Sequence, residues 1–218
     1  QSHLTGLPEG KKGVSLVTPS SYVQELIDLI PDKTGLRKCG IPDRPELRPN
    51  TLFTWSPSDP WKLSSSHTSL TYPNDKYPQD QVLKVRNPLG EVVEYPYYQA
   101  PNGQRYFLDA HLWYKQRDHV VDDVKRVAGS DPLGAARILY RFAQVYPGYC
   151  PVFDHPTLGQ YPVQDIGPPY PYWGGLWHRW FYGDLQRVAS LAEAFSLVKE
   201  TDAFQVLSQE VGEDVEYK

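Results

Sequence analysis

Proline is the residue that most limits this chain. With 21 prolines and 16 glycines among 218 residues, regular structure is confined to the stretches between them, because proline lacks a backbone donor and breaks helix interiors while glycine favours turns. A minority of good helices beside long irregular Pro/Tyr-rich segments and a small β-hairpin is the expected outcome, a mainly α fold. At 40% hydrophobic and 13% aromatic, a packed core is well supplied.

Between the prolines, helical periodicity emerges. Residues 18–31 read as a first helix: Ser21 and Gln24 form a capping box, Val23, Leu26, Ile27 and Ile30 supply an apolar face, and Pro31 ends it. From Asp32 to Gln81 no period is sustained, and Trp55, Trp61, Tyr72 and Tyr77 are scattered among turn formers. A hairpin is expected over residues 82–95, with Asn87-Pro88-Leu89-Gly90 as its turn, and a second turn at Asn102-Gly103. Phe107, Ala110, His111 and Tyr114 then lead a helix towards Val127, and Asp131-Pro132 opens another whose face is Ala135, Leu139, Phe142 and Tyr146. After a Pro/Tyr-rich connection, residues 176–199 predict a last long helix. Its stripe of Trp177, Phe181, Leu185, Val188, Ala192 and Phe195 is expected to bury against the helix of residues 132–146. The chain thus divides into an irregular region, 1–103, and a helical one, 104–218, forming one compact unit.

Charge narrows the function. The net charge is −4, with Glu200, Asp202, Glu210, Glu213, Asp214 and Glu216 crowding the C-terminal end, and no basic stripe marks a nucleic-acid partner. No apolar stretch approaches the roughly 20 residues of a membrane span. Cys39 and Cys150 read either as a long-range disulfide or as two buried thiols. The absence of methionine makes Gln1 the expected end of a processed or trimmed polypeptide, and a secreted or periplasmic location fits a removed leader. Gly-x-Ser-x-Gly, phosphate-cradling and His-Glu-x-x-His motifs are missing, which leaves hydrolase triads, nucleotide enzymes and zincins without support.

Between Tyr170 and Tyr182 lie Trp173, Trp177, Trp180, Tyr172, His178 and Arg179. Aromatic faces stack on the apolar faces of pyranose rings, while Arg and His donate to hydroxyls and carboxylates. Tyr170, Tyr172, Trp173, Arg179 and Trp180 are accordingly the candidate substrate-binding residues. Packing into a core is the other reading of the same cluster. His111 and His119 read as structural, and Asp154-His155 as adjacent residues whose side chains point apart.

Three segments resemble a known family: Asn50-Thr51-Leu52-Phe53-Thr54-Trp55 with Tyr72-Pro73-Asn74-Asp75; Ile138-Leu139-Tyr140-Arg141-Phe142-Ala143-Gln144-Val145-Tyr146-Pro147-Gly148-Tyr149; and Trp173-Gly174-Gly175 leading into the last helix. Together they resemble the N-terminal helical part of the heparinase II/III-like polysaccharide lyases. The resemblance implies a partial α/α toroid, a following β-sandwich domain of the same protein as partner, and β-elimination of an acidic, uronic-acid-containing polysaccharide. The family's Cys-x-x-Cys pairs are reduced here to Cys39 and to Ser64-Ser65-Ser66-His67, so neither a metal nor another cofactor is expected, a tetrahedral site needing four ligands. Elimination requires a carboxylate neutraliser, a base and an acid. His178 and Tyr182, one helical turn apart, are the candidate catalytic pair, with Arg179 as carboxylate clamp. A hydrogen-bonded helix start for His178 and a packed ring for Tyr182 are the commoner roles of such residues. The family's own catalytic residues are expected beyond Lys218. The expected function is therefore the N-terminal portion of a polysaccharide lyase, with a non-catalytic carbohydrate-binding or scaffold module as the alternative.

Overall fold

A computed structural model of the protein describes residues 18–34, 41–45, 53–150 and 181–218, with the backbone alone at 181–184. Helix α1 (Ser21–Asp28) starts one residue before the expected box: the Ser20 hydroxyl accepts from the Val23 amide at 3.3 Å. Val23, Leu26, Leu29 and Ile30 are buried, so the apolar face anticipated for this helix is the one it packs.

The stretch that showed no period holds a small antiparallel sheet. Strands β1 (Phe53–Thr54), β2 (Leu63–Ser65) and β3 (Thr71–Tyr72) pair in the order β1-β2-β3. Each contributes an aromatic or leucine to one cluster, Phe53, Leu63 and Tyr72 being joined there by Tyr77, Tyr106 and Leu112. Strands of two or three residues are too short to display a period of two. The expected hairpin is present as β4 (Gln81–Arg86) and β5 (Val92–Gln99), in register from Arg86 opposite Val92 to Gln81 opposite Tyr97. In its turn the Gly90 amide donates to the Asn87 carbonyl at 2.9 Å, and Gly90 takes φ 80°, where a side chain would be strained. Strand β6 (Arg105–Tyr106), after the second turn, completes this sheet. Its inner face sets Leu83, Val85, Tyr95 and Tyr97 against Phe107 and Ala110.

Helix α2 (Leu108–Ser130) follows directly. Asp131 then caps α3 (Pro132–Val145), its carboxylate accepting from the Gly134 amide at 2.9 Å with proline in the first turn, as the Asp-Pro pair predicts. Helices α4 (Phe181–Lys199) and α5 (Ala203–Val211) close the fold. The largest cluster gathers all five helices, with Val120, Val121 and Val124 of α2 at its centre beside Ile138, Phe142 and Phe204.

Two expectations are corrected. The chain is not a mainly α toroid: among the described residues, two small three-stranded antiparallel sheets stand beside five helices in a mixed α/β arrangement. The physical reason is that each sheet carries its own apolar cluster, and both clusters close on the N-terminal half of α2 (Leu108, Ala110 and Leu112). Among the helices, α3 touches α1, α2, α4 and α5, and α2 packs most extensively against α4. The second correction concerns α4. Leu185 and Val188 of the expected stripe are 63% and 46% exposed, whereas Ala194 and Val198 are fully buried. Between α4 and α2, Arg187 bonds Asp122 and Asp118 at 2.6 and 3.1 Å, and Glu193 meets Lys125 at 2.6 Å. These pairs, largely solvated, contribute little; the inward face is the one that seats Ala194 and Val198 in the helical core, with Leu191 and with Phe195 of the expected stripe packed beside them.

Candidate functional site

Of the residues singled out from the sequence, Tyr170, Tyr172, Trp173, His178, Arg179 and Trp180 lie outside the described residues, as do Trp177, Cys39, Asp154 and His155. Tyr182 falls in the first turn of α4, where the backbone alone is described. His111 is buried with its ring 4.4 Å from that of Phe53, and the His119 ring lies 5.1 Å from Trp55. Both thus sit among packing partners, in keeping with their structural reading. Cys150 is a buried free thiol. Among the described residues no group of three or more His, Cys, Asp or Glu could hold a metal ion, and no helix is long and apolar enough to cross a membrane.

The structure assembles an aromatic and cationic cleft elsewhere. It has a volume of about 490 Å³ and lies where the C-terminal end of α1 and residues 31–33 face Trp61, Trp113 and Arg141. That volume falls in the range of about 300 to 1,000 Å³ typical of small-ligand sites. Trp61 is 56% exposed, an uncommon degree of exposure for an indole away from a contact surface. Its position is fixed from behind. The Pro60 carbonyl accepts from the Trp55 indole at 3.0 Å and from the buried Gln116 amide at 2.9 Å, and Asp59 turns the chain through bonds to Ser56 and Lys62.

Opposite Trp61, the cations are held in place. The Lys33 ammonium lies 5.5 Å from the Trp113 ring centroid, within cation–π range, and Tyr95 supports Trp113 with ring centroids 6.0 Å apart. Arg141, projecting from α3, pairs with Asp32. Their side chains are 30% and 82% exposed, so the pair contributes about 0 to 1 kcal/mol. The loop bearing Asp32 and Lys33 is fastened at both ends by buried phenols. Tyr149 donates to the Pro31 carbonyl at 2.8 Å; Tyr95 donates to the Thr34 carbonyl at 2.8 Å, and the Cys150 amide donates to the same carbonyl at 3.0 Å. Burial pushes the Tyr149 phenol well up, against the opposing pull of the Arg117 and Arg141 charges. Burial likewise raises Tyr95, aided by the neighbouring Cys150. Both phenols therefore stay protonated as donors.

This arrangement offers an apolar face for stacking, guanidinium and ammonium groups for a carboxylate, and the Asp28 and Asp32 carboxylates as acceptors from hydroxyls. The sequence did carry a signal for it. Trp61 follows the turn-forming run Ser56-Pro57-Ser58-Asp59-Pro60, and connecting segments run over the protein surface. Trp113, Arg141 and Lys33 gave no such signal, since only tertiary packing brings three separate elements together. Comparison of the chain with protein-family models, with characterised proteins and with solved structures yields no match.

Proposed function

We propose that this protein recognises a uronic-acid-containing glycan in the cleft between Trp61, Trp113, Lys33 and Arg141, as the recognition portion of a polysaccharide lyase that cleaves such a glycan by β-elimination. The observation that carries the reading is the exposed Trp61 ring facing two cations across a cleft of about 490 Å³. Stacking alone suits neutral and acidic sugars equally. The cations select for a carboxylate, and the guanidinium does so through paired N–H donors. The lyase assignment rests on the segments that resemble the heparinase II/III-like enzymes. Among the described residues lining the cleft there is neither His nor Tyr, so the base and acid of an elimination fall to other parts of the protein.

Calorimetric titration with tetrasaccharides from alginate, heparin and polygalacturonate, against maltotetraose as neutral counterpart, tests the binding. An acidic tetrasaccharide should bind more tightly than maltotetraose, and Trp61→Ala should weaken it by about 1 to 3 kcal/mol, as for other aromatic stacking platforms. Equal affinity for charged and neutral sugars, or a Trp61→Ala protein that binds like the parent, would remove the cleft from consideration. Absorbance of the unsaturated product during incubation with the same polymers tests the lyase assignment. Product formed by this chain would place the base and acid among its own residues outside the cleft; binding without product leaves this chain with recognition alone, as a non-catalytic carbohydrate-binding module or as the recognition portion of a longer lyase.

A further inference from the structure

The cleft contains an acidic side chain where an acidic ligand would be least welcome. Asp32 stands on the rim and pairs with Arg141. Its carboxylate is 82% exposed, whereas Arg141 is 30% exposed, so the guanidinium belongs to the wall and the carboxylate is a pendant group in front of it. The backbone on either side of Asp32 cannot follow the side chain. Pro31 and Thr34 are fixed through their carbonyls by Tyr149, Tyr95 and the Cys150 amide. Rotation of Asp32 about its own side-chain torsions disturbs no packing and costs only a largely solvated ion pair. The other carboxylate on the rim, Asp28, has a different role. It accepts from Gln24 at 2.8 Å along the surface of α1, whereas the partner of Arg141 is Asp32.

We propose that Asp32 is a built-in surrogate for the ligand carboxylate: it occupies the face of the Arg141 guanidinium that a uronate carboxylate takes up on binding, and it swings away when the ligand arrives. This rests on the acidic-glycan reading of the cleft. The exchange replaces one carboxylate by another on the same donors, so the gain at Arg141 is reduced by the exposed pair given up, and affinity is set by Trp61 stacking, Lys33 and what remains at Arg141. A neutral sugar has no carboxylate to make the exchange and leaves the Arg141–Asp32 pair closed. The surrogate thereby lowers affinity for acidic ligands by the strength of the pair they must displace, and leaves the binding of neutral sugars unchanged.

The test uses the full chain and the same alginate, heparin and polygalacturonate tetrasaccharides, with maltotetraose as control. Asp32→Asn should tighten acidic tetrasaccharide binding about three-fold, the scale expected from releasing an exposed ion pair. It should leave maltotetraose unchanged. Asp28→Asn removes the same charge from the same rim without releasing Arg141, and should tighten binding clearly less. Arg141→Gln should weaken binding about ten-fold, and in that background Asp32→Asn should lose its distinct effect and match Asp28→Asn, a coupling read directly from the double-mutant cycle. If acidic tetrasaccharides bind and Trp61→Ala weakens them, yet Asp32→Asn and Asp28→Asn behave alike in the parent, the surrogate role is refuted while the cleft stands. If no acidic tetrasaccharide binds the folded parent, the glycan reading fails and the surrogate role fails with it. Circular dichroism on each variant confirms the fold, and the Asp→Asn changes lie at exposed positions.

Discussion

Gly134 stands where α1 meets the cap of α3. A methyl group there would lie 2.4 Å from an Asp131 carboxylate oxygen and 2.6 Å from a Val23 methyl, so either the capping bond or the α1 contact must yield. Gly134→Ala gains about 1 kcal/mol of helix propensity but forfeits about 0.5 to 2 for the cap and about 1 to 3 for overpacking. The expected result is a net loss of about 1 to 3 kcal/mol in urea unfolding, opposite in sign to the propensity scale. A stabilised Gly134→Ala protein would show that α1 can move away at no cost. Tyr149 and Tyr95 carry the pH dependence. Their folded phenols titrate above the ordinary value of 10.0, so the fold binds those protons more tightly than the unfolded chain. Their contribution is complete below about pH 10 and is lost progressively as pH rises beyond it. Denaturant midpoints measured from pH 8 to about pH 11 should fall more steeply in the parent than in Tyr149→Phe. The phenylalanine variant should be less stable at neutral pH by about 1 to 3 kcal/mol because the Pro31 carbonyl loses its donor.

Helix α4 shows what periodicity can and cannot say about an element. Leu185→Ala, at a 63% exposed position, should alter stability by less than about 0.5 kcal/mol. Ala194→Leu, at a position with no exposure, should cost about 1 to 3 kcal/mol through overpacking. The reverse order, read from chemical unfolding of the two variants, would restore the leucine–valine stripe as the buried face. The spacing of Leu185, Val188, Ala192 and Phe195 did indicate a helix. It misplaced the inner side at Leu185 and Val188 but not at Phe195, which packs on the core beside Phe204, because the partners that cover each turn come from other helices and are encoded in no single one. Where local chemistry decides, the sequence was legible: the Asn87–Gly90 turn and the Asp131-Pro132 start follow from turn and cap residues, whereas the first helix ends at Asp28, before the expected stop at Pro31. Strands β1 to β3 were hidden by their brevity. The cleft was hidden because Lys33, Trp61, Trp113 and Arg141 become neighbours only after α1, α2 and α3 have packed.

At the scale of the molecule, α2 belongs to every core. Val120, Val121 and Val124 sit in the helical cluster, Ala110 beneath the β4–β5 hairpin, and Leu108 and Leu112 against the small sheet. No sheet can lose its packing without uncovering part of this helix, so the described residues should unfold in one transition. Leu112→Ala, in the cluster of the small β1–β3 sheet, should destabilise the fold by about 2 to 5 kcal/mol and move the far-ultraviolet circular dichroism and tryptophan fluorescence curves together. Separate midpoints for the two probes would show that the sheets melt apart from the helices. One carbonyl joins this architecture to recognition. Pro60 accepts from both Trp55 and Gln116, so the backbone beneath the exposed Trp61 indole is ordered before any sugar arrives. A ligand landing on that ring does not have to freeze a loop, and the conformational entropy that a mobile platform would surrender on each encounter has already been spent in folding.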